Sequence, residues 1–305
     1  MQLKYIDVHS HLQFSAFDAN REEILERMRA ASVGTIVVGT QKTTSKSSIE
    51  LAHRTYPHTE GSPLYVDKMW ATVGLHPIHT SKSFHDEAEL GGGEAAKAFT
   101  SRGEIFDYDT YLEMARDPRV VAIGECGLDY YEQVDAEDRE TRLGADWRER
   151  QIDAFLGQIK VANEVRKPLM LHIRQVKGYG GGKAYDDVLE LLKKYSKTQA
   201  HVHSFCGDPE TAKKFIDFGC TLSFTGVITF RPEYAEAVKA VPLDRIMADT
   251  DSPYLSPVPY RGKQNEPAYV VEIIKKIAEI KELDFETART AILENSFRAF
   301  KLEHR

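Results

Sequence analysis

Asp7-Val8-His9-Ser10-His11-Leu12 follows directly on the run Leu3-Lys4-Tyr5-Ile6, and its reading decides what the remaining residues must supply. Side chains alternate between the two faces of a strand, so an extended run turns Asp7, His9 and His11 to one side. Two imidazoles at a spacing of two then converge, which is how one strand offers two nitrogens to one metal ion. Taken alone, the same six residues also describe a solvated strand that carries two histidines. The choice rests on whether further ligands arrive from elsewhere in the chain.

Seven more short β-rich runs follow: Thr35-Ile36-Val37-Val38, Trp70-Ala71-Thr72-Val73, Val120-Val121-Ala122-Ile123, Leu169-Met170-Leu171-His172, Ala200-His201-Val202-His203, Thr221-Leu222-Ser223-Phe224 and Arg245-Ile246-Met247-Ala248. Between them apolar residues recur at three- and four-residue spacing over Arg21–Ala31, Trp147–Arg166, Ala184–Tyr195, Pro209–Phe218 and Val270–Ile280. Strands alternating with helices imply parallel βαβ units. Eight of them predict an α/β fold, a (β/α)8 TIM barrel of the metal-dependent hydrolase type, as one domain over residues 1–305.

One region breaks the rhythm. Ser81–Phe106, with Gly91-Gly92-Gly93 and mixed charges, reads as an inserted loop with a short helix around Glu94–Phe99. A second glycine run, Gly178-Tyr179-Gly180-Gly181-Gly182, follows the fifth strand. Both leave the carboxyl ends of strands, the face on which such barrels keep their active sites.

Composition narrows the class. The 305 residues are 42% hydrophobic and 29% charged, enough apolar side chain for a sizeable core. A net charge of −7 argues against coating nucleic acid non-specifically, so any polyanion must be met locally. The three cysteines, Cys126, Cys206 and Cys220, form no C-x-x-C pair and suggest neither disulfides nor a zinc knuckle. No apolar leader opens the sequence and no run approaches a membrane span, so a cytoplasmic location with no membrane partner is expected. Oligomeric state is left open, a monomer included.

The other metal-ligand types fall at the ends of different strands. Glu125 closes the fourth expected strand, His172 the fifth and His203 the sixth, and Asp251 follows the eighth. Each has an ordinary alternative: a core histidine, a helix cap, a turn residue before Pro253. A barrel, however, makes all of them neighbours of His9 and His11 on one rim, which predicts a shared metal site.

Here the residues reach a resemblance. Asp7-Val8-His9-Ser10-His11-Leu12, Gly74-Leu75-His76-Pro77, Gly124-Glu125-Cys126-Gly127-Leu128-Asp129-Tyr130, His172-Ile173-Arg174, His203-Ser204-Phe205-Cys206-Gly207 and Thr250-Asp251-Ser252-Pro253-Tyr254-Leu255 together resemble the ordered motif set of the TatD family of metal-dependent deoxyribonucleases. Asn265-Glu266-Pro267, after Arg261-Gly262-Lys263, and Asn295-Ser296-Phe297-Arg298-Ala299-Phe300 extend the likeness over nearly the whole chain. The resemblance implies an amidohydrolase-like barrel with two divalent metal ions and 3′ to 5′ exonuclease or related phosphodiesterase activity on DNA, most simply at single-stranded ends. It implies that His9, His11, Glu125 and Asp251 hold one ion and that Glu125, His172 and His203 hold the other, with Glu125 bridging. Glu125 and Asp251 then form the catalytic pair, Asp251 as proton acceptor for the attacking water.

His76 ends the third strand without matching a metal position and is assigned to the substrate phosphate. Arg174 joins it because its planar fork suits phosphate oxygens, and Lys263 and Arg261 are weaker candidates for the same duty. The position before Thr250, usually Glu in the family, is Asp249 here, one methylene shorter. His201 is read as structural, and His53, His58, His79, His85 and His304 as surface residues. Mixed imidazole and carboxylate ligation suits zinc, manganese, iron or nickel better than magnesium, while the resemblance points to magnesium, so magnesium, manganese and zinc are carried forward. The same machinery cleaves carboxylic esters and amides, so an aminoacyl-tRNA ester, a lactone or a cyclic amide is the alternative substrate. A non-catalytic metal-binding module is the third reading, and the complete ligand set counts against it.

Overall fold

The strands stand side by side in chain order: β1 (Tyr5–Ser10), β2 (Val33–Val38), β3 (Met69–Val73), β4 (Val120–Asp129), β5 (Leu169–Arg174), β6 (Ala200–Val202), β7 (Thr221–Phe224) and β8 (Ile246–Ala248), every neighbouring pair parallel. The computed structural model describes residues 3–54, 68–81, 103–131, 146–175 and 180–302. Helices α1 (Arg21–Ala31), α2 (Lys42–His53), α3 (Tyr108–Ala115), α4 (Trp147–Val165), α5 (Lys183–Tyr195), α6 (Pro209–Phe218), α7 (Ala235–Ala240), α8 (Val270–Ile280) and α9 (Phe285–Phe300) occupy the connections and the C-terminal segment. The result is a nearly closed TIM barrel. All six residues of β2 are buried, as in a parallel sheet whose two faces are both covered.

The seam between β1 and β8 explains the use of Asp7. A single bridge joins Ser10 to Ser252; Asp251 N donates to His9 O at 2.9 Å and His11 N to Ser252 O at 2.8 Å. The Asp7 carboxylate accepts from Thr250 N (2.8 Å) and from the Thr250 hydroxyl (2.7 Å). Asp7 is thus spent on closure. Burial pushes its carboxyl well above the usual carboxylate range, although the Thr250 hydroxyl pulls the other way. Replacing Asp7 by Ala strands two buried donors of Thr250 and is expected to lower the unfolding free energy by about 2–4 kcal/mol. Denaturant unfolding measures this, and a variant as stable as the parent would remove Asp7 from the closure.

The expected helix bounds hold at α1, α6 and α8 and shift by a residue at α4 and α5. Arg166, at φ 57°, takes a left-handed conformation and ends α4 at Val165. Helix α2 carries a weak apolar signal because hydroxyls fill part of its inner face. Ser45 Oγ donates to Gly74 O (3.3 Å) and Ser48 Oγ to Thr72 O (3.0 Å).

The expected end of the fourth strand at Ile123–Glu125 is corrected. Strand β4 runs on to Asp129 because Cys126–Asp129 pair with Leu171–Arg174 of β5. Gly127 permits this: at φ +134°, a Cβ there would lie 2.1 Å from His172 O. Strand β6 ends at Val202, one residue before His203. The middle of the expected insertion, with the helix at Glu94–Phe99, lies outside the described residues, as do Gly178 and Tyr179. No helix among the described residues is long and apolar enough to cross a membrane.

Candidate metal centre

Each side chain of the cluster is aimed by its strand. His11 Nδ1 donates to Val38 O at the end of β2 (2.9 Å), which turns Nε2 toward the barrel mouth, where it becomes a ligand once its proton is lost. Glu125 N donates to Gly39 O (2.8 Å), holding the middle of β4 against the end of β2. Asp251, at φ 51°, turns back over β1 through its bond to His9 O.

Four ligand atoms then gather on one side of Glu125. His9 Nε2 and His11 Nε2 lie 3.3 Å apart, Glu125 Oε2 is 3.4 Å from His9 Nε2 and 3.7 Å from His11 Nε2, and Asp251 Oδ1 is 3.7 Å and 3.4 Å from the same two atoms. Ligands bound tetrahedrally at about 2.0–2.1 Å are themselves about 3.4 Å apart. The donor set therefore has the size and chemistry of a divalent-ion site. The other oxygen faces a second group: Glu125 Oε1 is 2.8 Å from His203 Nε2 and 2.9 Å from His172 Nδ1, which are 3.5 Å from each other. One carboxylate turning its two oxygens to two ligand groups is the geometry of a bridge.

Charges in the cluster are arranged around the same carboxylate. Burial opposes the Glu125 anion, but the imidazoles of His203, His76 and His9 hold its carboxyl well below the usual range. Burial also opposes a charged His11, yet its bond to Asp251 and the charge of Glu125 outweigh burial and push it up to about 9. His172 is likewise pushed up to about 9, burial being outweighed by Asp129 and Glu125. His9, buried and beside His203, falls to about 4 and is neutral. Protons on His11 and His172 thus neutralise carboxylates that a divalent ion would otherwise neutralise.

Asp129 belongs to the site although no role was assigned to it from the sequence. Its Oδ2 accepts from His172 Nε2 at 2.9 Å, which fixes the ring so that Nδ1 faces Glu125. The signal was present: Glu125 and Asp129 are four residues apart and share a face if the strand continues, which the glycines concealed. Replacing Asp129 by Ala is expected to weaken metal binding on the His172 side about 10- to 100-fold, read by chelator competition. Unchanged affinity would separate Asp129 from the centre.

The remaining histidines divide. His201 is buried with its ring nitrogens on the hydroxyls of Thr221 (3.0 Å) and Ser223 (2.9 Å), away from Glu125. The Ser223 hydroxyl in turn donates to Asp249, which also accepts from Ser204 N at 3.1 Å, so this shorter carboxylate backs the residue after His203. Burial pushes Asp249 up to about 6, against the pull of His203. The expectation that His79 is a surface residue is corrected: it is 5% exposed, lines the cleft and packs edge-on to His76 at 5.9 Å. The 3-10 turn Pro77–Thr80 folds it inward. His53 is exposed and bonded to Asp117 at 2.9 Å. His58, His85 and His304 lie outside the described residues.

The cluster opens into a cleft of about 700 Å³ that is also lined by His76, Arg174 and Arg261. Arg174 lies 3.8 Å over the Tyr131 ring and Arg261 3.8 Å over the Phe230 ring. Lys263 is exposed and is not among the residues that line the cleft; its carbonyl accepts from the Ser256 hydroxyl.

Residues 6–301 match the model of the TatD-related DNase family. The chain is 31% identical over 301 residues to the uncharacterized metal-dependent hydrolase YabD of Bacillus subtilis, covering 97% of this chain and 98% of that protein. It is 34% identical over 207 residues to the uncharacterized metal-dependent hydrolase YcfH of Escherichia coli, covering 67% and 71%. The crystal structure of YjjV, a TatD homologue from Escherichia coli, shares the fold with a TM-score of 0.73 at 23% identity, covering 99% of this chain and 100% of that one. A TatD family hydrolase from Entamoeba histolytica does so with a TM-score of 0.73 at 20% identity, covering 98% of each. Because the family match takes in every strand that carries the cluster, the chain belongs to the TatD family of metal-dependent hydrolases.

Proposed function

We propose that this hydrolase is a two-metal 3′ to 5′ exodeoxyribonuclease acting on single-stranded or frayed DNA ends in the cytoplasm. The observation that carries the reading is the pair of aromatic-backed arginines, Arg174 on Tyr131 and Arg261 on Phe230, in the same cleft as Glu125. A guanidinium stacked on a ring is held flat with its N–H groups in one plane, where they suit phosphate oxygens; Arg261 spends one of them, through Nη1, on Ser256 O at 2.8 Å and keeps the others for that duty, and the neighbouring rings offer faces on which bases stack. A net charge of −7 suits a grip on a few terminal nucleotides.

His9, His11, Asp251 and Glu125 Oε2 would hold one ion, and Glu125 Oε1, His172 and His203 the other. Magnesium, manganese or zinc, when bound there, supplies Lewis acidity at phosphorus and favours ionisation of the attacking water. Asp251 is more open to the cleft than Glu125, with 18% of its side chain exposed against 4%, so it is the better placed to take the proton. Its carboxyl is held below the usual range, burial being outweighed by His11 and His9, which keeps it ionised and ready to accept.

The test is hydrolysis of 5′-labelled single-stranded DNA by metal-stripped protein re-supplied with magnesium, manganese or zinc, beside Glu125→Ala. A metal-dependent ladder that shortens from the 3′ end, and is absent in the variant, is expected. Intact DNA with a protein that holds two ions would sink the nuclease reading and move the search to carboxylic esters and amides.

A further inference from the structure

His76, Asp129 and His172 bring ligand-type atoms within 4.8 Å of one another, beside the bridging carboxylate, and so form what looks like a further cation site. The hydrogen bonds say otherwise. Ile78 N donates to His76 Nδ1 at 3.1 Å. A backbone N–H has only a proton to give, so Nδ1 must carry a lone pair, and the single proton of the neutral ring sits on Nε2. His172 in the same cluster commits its Nε2–H to Asp129 at 2.9 Å. Neither Nε2 retains a lone pair for a cation.

The His76 ring is also held in place. It caps the 3-10 turn Pro77–Thr80, and it meets the His172 ring at 4.2 Å and 63°. Its Nε2 lies 3.5 Å from Glu125 Oε1, beyond the usual hydrogen-bond range, so the proton is not consumed there. The side chain is 12% exposed and lines the cleft. Coordination through Nε2 would drive the proton to Nδ1 and set it against the Ile78 N–H.

We infer that His76 is a tautomer-locked hydrogen-bond donor, its Nε2–H directed at an oxygen of the scissile group, and is not a metal ligand. The identity of that oxygen, on a phosphodiester, rests on the proposed function; the donor state of the ring does not. A neutral imidazole N–H meets growing negative charge without surrendering its proton, and it demands no rearrangement as the charge appears.

The test uses the full chain with ¹⁵N-labelled histidine, metal-free and zinc-loaded, together with His76→Ala and His76→Gln. Expected are a protonated Nε2 and an unprotonated Nδ1 on His76 in both states, and the parental ion count in both variants. On a chromogenic phosphodiester, His76→Ala should lose about 10²- to 10³-fold in kcat, the scale of removing one oxyanion donor, with KM changed less than about threefold. His76→Gln, which restores an N–H near the Nε2 position, should recover about tenfold of that. A zinc-induced shift of Nε2, loss of one ion from His76→Ala, or a parental kcat in that variant would overturn the assignment. If the parent cleaves no phosphodiester, the nuclease reading falls, while the ring-nitrogen state and ion count still decide donor against ligand. The labelled parent needs no variant to fold.

Discussion

Glu125→Ala is expected to empty both halves of the centre and to lower hydrolysis by at least about 10⁴-fold, the scale on which removing one member of a concerted site acts. Its Oε2 lies 3.4 Å from His9 Nε2, while its Oε1 lies 2.8 Å from His203 Nε2 and 2.9 Å from His172 Nδ1. Removing the carboxylate therefore takes the shared anion from both ligand groups. Metal analysis after dialysis checks the first part, and hydrolysis at saturating metal checks the second. Folding is checked separately by circular dichroism, because a buried anion surrounded by imidazoles is being deleted. A variant that keeps two ions and loses only rate would show that Glu125 acts in chemistry without holding the pair together. A variant that loses one ion would confine it to one side.

Metal uptake should release protons, and affinity should fall steeply with acidity. In the metal-free chain His11 and His172 are pushed up to about 9, because the carboxylates beside them outweigh burial. An imidazole binds metal only after it loses that proton, so below about pH 9 each of the two exacts a factor of about ten in affinity per pH unit. Because His11 serves one ligand group and His172 the other, each ion's affinity should fall about 100-fold between pH 8 and pH 6, and the product of the two about 10⁴-fold. His9, already neutral with its pKa near 4, adds nothing to that slope. Calorimetric titration in buffers of different ionisation enthalpy counts the protons directly. At least two released protons are expected, one from His11 and one from His172, with His203 adding to them because burial is outweighed by Glu125, which pushes its imidazole up; none would mean that His11 and His172 are not ligands in the form that binds the ion.

Sequence alone carried the architecture a long way, for a local reason. Alternation along a strand and three- or four-residue spacing along a helix are properties of neighbouring residues, so the eight strands and the bounds of α1, α6 and α8 were legible without any knowledge of contacts. The residue types at strand ends were legible too. His9, His11, Glu125, His172, His203 and Asp251 were named before their separations were known, and the fold brings them to within 3.7 Å along each of the pairs that carry the centre.

What only the tertiary structure decided is which partner each polar atom takes. Asp7 has the parity of a ligand, yet its carboxylate meets Thr250, 243 positions away, because barrel closure sets the two side by side. Glu125 had to be seen between four imidazoles before one oxygen could be assigned to each ligand group. Asp129 was hidden because Gly124 and Gly127 read as the end of a strand, whereas the absence of a Cβ is what lets β4 continue against β5. His76 carried its residue type in the sequence, but its proton is positioned by Ile78 N and the turn that presents it. Residue type and period are written along the chain; hydrogen-bond partners and the protonation states they impose arise only when distant strands are brought together, and the chemistry of this centre is made of those.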